Sequence, residues 1–325
     1  MHMKYMILST HDPYLNLAIE EYVFENSQEN VFILCQNEPC VVIGKNQNPY
    51  AEIDISVARD KNVKIVRRIT GGGAVYHDLG NINYTFISSA CDDGIDFSRF
   101  TAPIISALAT MGISASLGGR NDIEVDGKKI SGNAQCRKGN RVLHHGTLLF
   151  DSDLEFLSGI LLVDPEKIQA KAIKSTRARV CNINELLPTK IDVVKFMRLI
   201  SEHVIRELSA EPMTLDINQK IKELEARNRS DEWIFPRREY LSSYNIRKKK
   251  RYPFGTLEVY RDMSGDVIRS AKICGDFFGS ADISILENAL GSKKLSGLSY
   301  TISNFNISEY IFGMTNEEFL LHIIK

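Results

Sequence analysis

Residues 67–78 read Arg-Arg-Ile-Thr-Gly-Gly-Gly-Ala-Val-Tyr-His-Asp, which is the most informative stretch of the chain. Glycine loses more conformational entropy on folding than other residues, so a run of three is typical of backbone that approaches another group closely or adopts positive φ. Two arginines precede the glycines and His77 follows them. The stretch therefore indicates a loop whose amides and guanidinium groups surround an anionic, phosphate-bearing ligand. A mobile surface loop is the alternative.

The composition is that of an ordinary globular protein. The chain has 325 residues, of which 43% are hydrophobic and 25% charged, and its formal net charge is −1. This charge creates no field that attracts nucleic acid or anionic membrane, no apolar run reaches the roughly 18 residues that cross a bilayer, and the amino terminus has no signal-peptide pattern. The six cysteines follow no metal-type spacing: Cys35, Cys40, Cys91, Cys136, Cys181 and Cys274. We expect reduced thiols, a cytoplasmic location, and no nucleic-acid or membrane partner.

Mixed helix and strand patterns predict an α+β fold: a large domain with mixed, mostly antiparallel sheets flanked by helices, and a small α+β C-terminal domain. Helices are predicted at residues 13–26, 101–111, 165–172, 191–209, 215–228, 281–290 and 315–324, and strands at 31–35, 40–44, 63–67, 84–88, 141–151, 256–260 and 267–273. The composition changes near residue 245, which predicts domains at 1–245 and 246–325. The basic run 247–251 is interpreted as a solvated linker, with a docking patch for an acidic partner as the alternative.

The sequence of residues 119–132 predicts a β-hairpin that carries charged and hydroxyl side chains on one face. Asp126-Gly127 between two alternating runs is a strong signal for a two-residue turn. A lysine on the polar face serves as a cation for a phosphate, or for a carbonyl oxygen that gains charge, and Asp122 suits Mg²⁺ beside phosphate oxygens. A cross-strand ion pair without function is the alternative. The predicted register pairs Val125 with Lys128, Glu124 with Lys129, and Asp122 with Ser131.

Three further segments carry reactive side chains. The adjacent His144 and His145 point to opposite faces of a strand, which favours one pocket histidine and one structural histidine over a metal pair. Residues 174–182 carry alternating cations that suit either a strap over an anionic ligand or an ordinary basic loop. Cys136 lies near the hairpin without a cation aimed at it, so a spectator thiol is favoured. No catalytic-triad pattern occurs in the sequence.

In this order, the segments resemble the lipoate–protein ligase family, which has the biotin/lipoate ligase fold. The resemblance implies a reaction in two steps. Lipoate and ATP react with Mg²⁺ to give lipoyl-adenylate and pyrophosphate, and a lysine of an acceptor protein then attacks the adenylate to form an amide. The implied acceptors are the lipoyl domains of 2-oxoacid dehydrogenase E2 subunits and the glycine-cleavage H protein. The matching segments are Val42-Ile43-Gly44-Lys45-Asn46-Gln47-Asn48-Pro49, Arg67–Asp78, Asn81, Arg120-Asn121-Asp122, Lys129-Ile130-Ser131-Gly132, His144–Leu149 and Arg177–Asn182.

The resemblance also implies a role for each matching residue. Lys129 would contact both the phosphate and the lipoyl carbonyl oxygen and stabilise charge in the transition state. Asp122 would hold the metal, and residues 164–182 would order over the adenylate. The implied lipoate-binding residues are Arg68, Thr70, Gly71, Gly72, His77, Lys129, His145 and Gly146. The implied ATP- and adenylate-binding residues are Arg68, Gly73, Ala74, Val75, Tyr76, Asn81, Asp122, Lys129 and Arg179.

Two features depart from the family pattern. The segment Trp233–Tyr240 lacks a glycine that family members often carry there, and the basic run 247–251 is not part of the shared pattern. Two rival functions are an ATP-independent octanoyl or lipoyl transferase of the same fold, and a non-catalytic sensor that binds lipoate or its adenylate. Biotin ligase is disfavoured because its Gly-Arg-Gly-Arg loop is absent from the sequence.

Overall fold

The structure of the chain is a computed structural model that describes residues 2–90, 95–119, 121–160, 180–235 and 243–324. Helices and strands are numbered over these residues. The predicted helix at 165–172, Arg179 and most of the 174–182 segment lie outside the described residues, as do Cys91 and Arg120.

The described residues form three β-sheets. The largest sheet consists of Met3–Ile7 (β1), Asn30–Cys35 (β2), Asn81–Ser89 (β6), Ser116–Gly118 (β7), Asp122–Val125 (β8), Lys128–Lys138 (β9), Arg141–Leu149 (β10) and Glu211–Pro212 (β11). Its strand order is β11-β1-β2-β6-β10-β9-β8-β7; β1 pairs in parallel with β11 and with β2, and the other neighbouring strands pair antiparallel. A smaller sheet places Cys40–Ile43 (β3) between Lys64–Arg67 (β4) and Val75–His77 (β5). The third sheet is antiparallel and consists of Ile246–Tyr252 (β12), Gly255–Ser264 (β13), Val267–Gly275 (β14) and Lys293–Lys294 (β15).

Helices flank these sheets. They are Pro13–Asn26 (α1), Pro49–Glu52 (α2), Ile55–Asp60 (α3), Ser98–Thr110 (α4), Leu154–Ile160 (α5), Ile183–Leu186 (α6), Val193–Glu207 (α7), Gln219–Arg229 (α8), Asp231–Ile234 (α9), Ile283–Leu290 (α10), Leu298–Ser303 (α11), Ile307–Tyr310 (α12) and Asn316–Ile324 (α13). The predicted α+β fold with mixed, mostly antiparallel sheets is confirmed, whereas the domain boundary near residue 245 stays a prediction. No helix among the described residues has both the length and the apolar character needed to cross a membrane.

Helix α1 positions polar side chains beside the large sheet. It begins at a proline, and the Asp12 side chain caps it by accepting a hydrogen bond from the Tyr14 amide at 2.9 Å. Most of its apolar residues pack with residues of β2 and α8 in one core cluster. Because Asn16 and Glu20 lie on the buried side as well, the helix brings an amide and a carboxylate to the sheet surface.

Strands β6 and β10 form the antiparallel centre of the large sheet. Tyr84 pairs with Gly146 and Thr85 with His145, so the two strands are in register over their full length. Ile82, Tyr84 and Phe86 of β6 pack into the main core cluster. The alternation therefore places Asn83 and Thr85 of β6, with His145 of β10, on the opposite face.

The β8–β9 hairpin forms around the predicted turn, but with a different register. Asp126 and Gly127 have φ of +50° and +74°, which suits a two-residue hairpin turn. The pairs next to the turn are as predicted, and then the register shifts between Ile123 and Glu124, so that Asp122 pairs with Gly132. The predicted Asp122–Ser131 pair is wrong because a β-bulge inserts one residue into β9. The shift leaves Ser131 fully buried.

The basic run 247–251 is a strand, so its interpretation as a linker is wrong. It forms most of β12, which pairs with β13 from Ile246–Arg261 to Tyr252–Gly255. Arg247 forms an ion pair with the buried Glu258, and the Arg251 guanidinium lies 3.0 Å from Thr256 Oγ1 and 3.2 Å from Asp276 Oδ2. Lysines and arginines on an edge strand disfavour further strand pairing, which explains the composition without a linker.

Arg67 holds loops together instead of facing a ligand. Its guanidinium is buried and donates hydrogen bonds to five backbone carbonyl oxygens, those of Gly44, Lys45, Gln47, Trp233 and Ile234. The Trp233 indole donates in return to the Arg67 carbonyl at 3.0 Å. Arg67 therefore ties β4 to both the 44–47 loop and α9.

Replacing Arg67 by methionine is expected to reduce the free energy of unfolding by about 3 kcal/mol or more, because buried carbonyl oxygens would lose their donors. Urea unfolding measures this loss. Arg59, exposed at the end of α3, provides the matched control: Arg59→Met should change stability by less than about 0.5 kcal/mol. Equal losses in the two variants would contradict the structural role of Arg67.

His144 makes stability depend on pH. The side chain is fully buried and stacked on Phe100, and burial lowers its pKa well below the ordinary value of 6.5. Below that pH the unfolded chain binds a proton that the folded chain does not, so the free energy of unfolding falls by about 1.4 kcal/mol per pH unit from this group. In His144→Phe, the slope of the free energy of unfolding against pH, taken between about pH 6 and pH 5, should decrease by the equivalent of one proton. The exposed His11, changed to phenylalanine, is the control; an unchanged slope in His144→Phe would refute the assignment.

Candidate active site

A cavity of about 410 Å³ lies between the large sheet, α1, the glycine run and the C-terminal part of the chain. Three predicted segments meet there: the glycine run, the β8–β9 hairpin and β10. The predicted site residues that line the cavity are Arg68, Gly72, Gly73, Ala74, Val75, His77, Asp122, Lys129, His145 and Gly146.

Lys129 forms the cationic end of the cavity. Its Nζ lies 2.8 Å from Asp122 Oδ1, and both side chains are partly exposed. A Cβ on Gly132 would lie 2.7 Å from Lys129 Nζ, so the glycine leaves room for the ammonium group. The Lys129 carbonyl accepts a hydrogen bond from the Cys181 amide at 3.1 Å, which ties the backbone of β9 to residue 181. The hairpin thus presents a cation on rigid backbone with space in front of it.

Arg68 organises the glycine run. Its guanidinium donates to Thr70 Oγ1 at 2.9 Å, to the Val42 carbonyl at 3.2 Å, and to the carbonyls of Gly71 and Gly73 at 2.7 and 2.8 Å. Burial lowers its pKa to about 10, so the group remains charged at neutral pH. No carboxylate is among these acceptors. The cavity wall therefore carries a buried positive charge whose hydrogen bonds to backbone can be exchanged for an anionic ligand.

A chain of hydrogen-bonded side chains connects α1 to Arg68; it consists of Glu20, His145 and Thr70. Glu20 accepts from Thr85 Oγ1 at 2.5 Å and from His145 Nδ1 at 3.0 Å. The other ring nitrogen, Nε2, lies 2.8 Å from Thr70 Oγ1, which itself accepts from Arg68. The chain of contacts fixes the orientation of the His145 ring and links α1 to the glycine run.

The remaining predicted residues lie around the cavity and not in its wall. Thr70 is fully buried behind Arg68, and Gly71 packs against the Phe277 carbonyl. The Tyr76 ring packs on Phe156 at 5.1 Å between centroids, so its side chain points away. Asn81 supports the wall from behind by donating to Asn83 Oδ1 at 2.9 Å. Arg179 lies outside the described residues.

Several lining residues were not among the predicted site residues, although Val42, Asn121, Gly132 and Thr147 lie in the matching segments. The lining residues outside the prediction are Asn16, Leu17, Glu20, Cys35, Val42, Asn37, Asn83, Thr85, Asn121, Gly132, Asn133, Ala134, Thr147, Arg251, Pro253 and Asp276. A signal was present for two groups of them. Asn16 and Glu20 are spaced four apart on α1, and Asn83 and Thr85 alternate with aromatic residues on β6, so both pairs are polar positions on otherwise apolar elements.

The segment after β14 closes one side of the glycine run. The Gly72 amide donates to the Phe277 carbonyl at 3.3 Å, and the Phe278 ring packs with Phe97 at 5.6 Å. A second link joins the Gly275 amide to the Asn46 carbonyl at 2.9 Å. The C-terminal part therefore contacts the backbone that forms the cavity wall.

Neither the thiol at the cavity nor the cysteine considered from the sequence is activated. Burial raises the pKa of Cys35, which lines the cavity, and of Cys136, which does not, to about 12, so both remain protonated at neutral pH. The described cysteines are all free. Because a thiolate is the nucleophilic form, these residues are poor candidates for a covalent acyl intermediate.

Asp122 is the predicted magnesium ligand, and the structure places its carboxylate at the cavity. Within the described ranges, no group of three or more His, Cys, Asp or Glu side chains could hold a metal. Mg²⁺ at nucleotide sites is typically bound by one or two carboxylates together with phosphate oxygens, and Asp122 supplies one such carboxylate at the cavity.

Two family descriptions match the sequence. The Lipoyl protein ligase A/B catalytic domain matches residues 12–205, and the Bacterial lipoate protein ligase C-terminus matches residues 242–323. Among curated relatives, Lipoate--protein ligase 1 of Staphylococcus aureus is 41% identical over 324 residues, covering 97% of each chain. Lipoate-protein ligase LplJ of Bacillus subtilis is 38% identical over 323 residues, covering 95% of this chain and 96% of that protein.

Solved structures show the same fold. LipL1 of P. falciparum in complex with lipoate superposes with a TM-score of 0.81 over 99% of this chain and 98% of that chain, at 22% identity. The bi-partite lipoate protein ligase of Thermoplasma acidophilum, solved with its E2 lipoyl domain, gives 0.64 over 72% and 96% at 27% identity. A lipoate-protein ligase A bound with ATP gives 0.60 over 72% and 98% at 25% identity.

The family and sequence matches therefore define a ligase with a lipoyl protein ligase A/B catalytic domain. The chain belongs to the lipoate–protein ligase family, whose members are enzymes of the ligase class.

Proposed function

We propose that this protein attaches lipoate to proteins in an ATP-dependent reaction with a lipoyl-adenylate intermediate. In the first step a carboxylate oxygen of lipoate attacks the α-phosphorus of ATP, and the bond to pyrophosphate breaks. In the second step an acceptor lysine amine attacks the carbonyl carbon of the mixed anhydride; a C–N bond forms, AMP leaves and the amine proton is released. The observation that carries the proposal is the meeting of Lys129 and Arg68, two cations, in one cavity.

Lys129 is proposed as the catalytic residue of both steps. Negative charge develops on phosphate oxygens in the first step and on the carbonyl oxygen in the second, and a preorganised cation stabilises such charge. Lys129 extends from a rigid hairpin and is paired only with Asp122 among the described contacts. An incoming phosphate would draw the ammonium away from that carboxylate, which frees Asp122 for Mg²⁺; the metal when bound neutralises phosphate charge.

The other residues are proposed to divide between the two substrates. Arg68, Thr70, Gly71, Gly72, His77, His145 and Gly146 are assigned to lipoate, and Gly73, Ala74, Val75, Tyr76, Asn81, Asp122 and Arg179 to ATP and the adenylate, with Arg68 and Lys129 shared. Support for a joint site comes from the hydrogen bonds of Arg68 to Gly71 and Gly73, which couple the two halves of the glycine run. The related structure with bound ATP supports ATP as the second substrate.

The proposed acceptors are lipoyl domains of 2-oxoacid dehydrogenase E2 subunits and the glycine-cleavage H protein. The relative from Thermoplasma acidophilum, solved with its E2 lipoyl domain, supports the first of these. The free thiols of the described cysteines are consistent with a cytoplasmic reaction.

Exchange of labelled pyrophosphate into ATP tests the first step and separates it from the rival functions. We expect exchange that requires lipoate and is independent of any acceptor protein. An acyl transferase between carrier proteins uses no ATP, and a sensor binds without turnover, so neither would support exchange. Absence of lipoate-dependent exchange would refute the proposal.

A further inference from the structure

One arginine of the C-terminal part of the chain lines the cavity. Arg251, the last residue but one of β12, forms part of the cavity wall together with Pro253 and Asp276. None of the three belongs to the segments that resemble the family. The edge position of β12 explains why the strand is basic, but it does not explain why the side chain at this position lines the substrate cavity.

Arg251 lies beside the half of the glycine run that is proposed to hold ATP. Its ion-pair partner Asp276 directly follows β14. The residue before Asp276 donates to the Asn46 carbonyl, and the residue after it accepts from the Gly72 amide, so the pair is held against the glycine run. A Cβ added to Gly73 would meet no described atom within 4 Å, which leaves space for a ligand next to this pair in the same cavity.

The Arg251 guanidinium has donors that are not in use. Among the described residues its acceptors are Thr256 Oγ1 at 3.0 Å and Asp276 Oδ2 at 3.2 Å, and both are reached through Nη1. A guanidinium has five N–H donors in a planar fork, so those on Nη2 and Nε are available for a further acceptor. The Arg251 side chain is 59% exposed, compared with 32% for that of Lys129, so it is free to turn towards a ligand.

The charges of the cavity lining favour a polyphosphate as the partner of Arg251. In the part of the lining that the structure describes, three lysine or arginine side chains accompany three carboxylates: Lys129, Arg68, Arg251, Glu20, Asp122 and Asp276. A lipoate carboxylate at Arg68 and the α-phosphate group at Lys129 would use two of the cations. The β- and γ-phosphate groups carry most of the charge of ATP, and a guanidinium binds two phosphate oxygens in its plane.

We propose that Arg251 binds the β- and γ-phosphate groups of ATP and the pyrophosphate that leaves in the first step. Its guanidinium exchanges Asp276 for phosphate oxygens and stabilises the negative charge that pyrophosphate takes with it when the bond to the α-phosphorus breaks. Because the second step involves no pyrophosphate, Arg251 takes no part in it. This inference rests on the proposed function, since it adds a residue to the ATP site of that reaction.

Arg251→Gln tests the inference in two assays. In exchange of labelled pyrophosphate into ATP, we expect the KM for pyrophosphate and the KM for ATP to rise about 10- to 100-fold, the usual effect of losing hydrogen bonds between charged groups. In transfer from prepared lipoyl-adenylate to a lipoyl domain, the rate should stay within about twofold of the wild-type rate.

Lys250→Gln is the matched control. It removes the same charge from the neighbouring position, which is exposed, faces the other side of β12 and does not line the cavity. Both assays should give wild-type values in this variant. A rise in the KM for pyrophosphate equal to that of Arg251→Gln would show that overall charge, and not a contact of Arg251, causes the effect, and would overturn the inference.

Asp276→Asn should shift the same constant in the opposite direction. The asparagine keeps a side-chain oxygen that accepts from the Thr256 amide, but it removes the negative charge beside Arg251. We expect the KM for pyrophosphate to fall about threefold. Opposite shifts in the two variants of one ion pair do not arise from a general loss of structure, so this variant tests the inference even if Arg251→Gln fails to fold.

The outcomes separate the inference from the proposed function. An unchanged KM for pyrophosphate in Arg251→Gln would overturn the inference, as would a large loss of transfer from prepared lipoyl-adenylate, because Arg251 would then act in the second step. A raised KM for pyrophosphate in Asp276→Asn would also contradict it. Absence of pyrophosphate exchange in the wild-type protein would instead refute the proposed function.

Discussion

Lys129→Ala is expected to reduce the rate of lipoyl-adenylate formation by about 10²- to 10³-fold, the usual cost of removing one preorganised stabilising group. Lys129 Nζ is the cation of the β8–β9 hairpin that faces the cavity, and its present partner is Asp122 at 2.8 Å. Without it, the negative charge that develops on the transferring groups would lose this cation, while the Asp122 carboxylate would remain beside it. Single-turnover formation of the adenylate, measured with lipoate and ATP in excess, reports this step directly.

Lys128 provides the control for this variant. It is the neighbouring residue on the same strand, is exposed, and does not line the cavity. Lys128→Ala should therefore form the adenylate at nearly the wild-type rate, and urea unfolding should show that both variants remain folded. Adenylate formation by Lys129→Ala within about threefold of the wild-type rate would rule out the assigned role.

Arg68→Lys is the second change with a large expected effect, a fall of about 100-fold in kcat/KM for lipoate. A lysine keeps the charge, but it cannot reproduce the planar fork that reaches Thr70, Val42 and the two glycine carbonyls. The glycine run would lose its fixed conformation, so both substrates would meet a disordered wall. Pyrophosphate exchange at varied lipoate concentration measures the change.

Gly72→Ala tests the same wall without altering charge. Gly72 has φ of +92°, and a Cβ there would lie 2.9 Å from Arg68 Nη2 and 3.0 Å from the Phe278 ring. Lowered activity in both variants would fit the proposed wall of Arg68 and the glycine run. A normal kcat/KM for lipoate in Arg68→Lys would show that the guanidinium fork is dispensable and would contradict the proposed role of Arg68 in this wall.

Local sequence patterns predicted much of the fold. The cap at Asp12, the turn at Asp126-Gly127 and the alternation of β6 and β10 are short-range signals, and the structure has the corresponding helix, hairpin and strands. The register beyond the turn could not be read, because the bulge that moves Asp122 opposite Gly132 depends on packing of Ile123 and Ile130 in the core. The strand order could likewise not be predicted, since β1 pairs in parallel with β11, which lies far along the chain, as well as with β2.

The residues of the candidate site could be predicted where they belong to a sequence motif. The glycine run, Lys129 and His145 line one cavity. Composition and spacing do not distinguish the two neighbouring arginines; the resemblance assigned Arg68 alone to the substrates, and the structure places Arg68 at the cavity and Arg67 among the carbonyls of Trp233 and Ile234. Glu20 was missed because an isolated acid on an amphipathic helix is usually at the surface, and its partners His145 and Thr85 come from distant strands.

The most direct test of the central claim is the intact mass of a lipoyl domain incubated with this protein and lipoate, with and without ATP. We predict a mass increase of one lipoyl group on a single lysine, formed only when ATP is present. An unmodified domain in the presence of ATP, or modification that proceeds from an acylated carrier protein without ATP, would contradict the account.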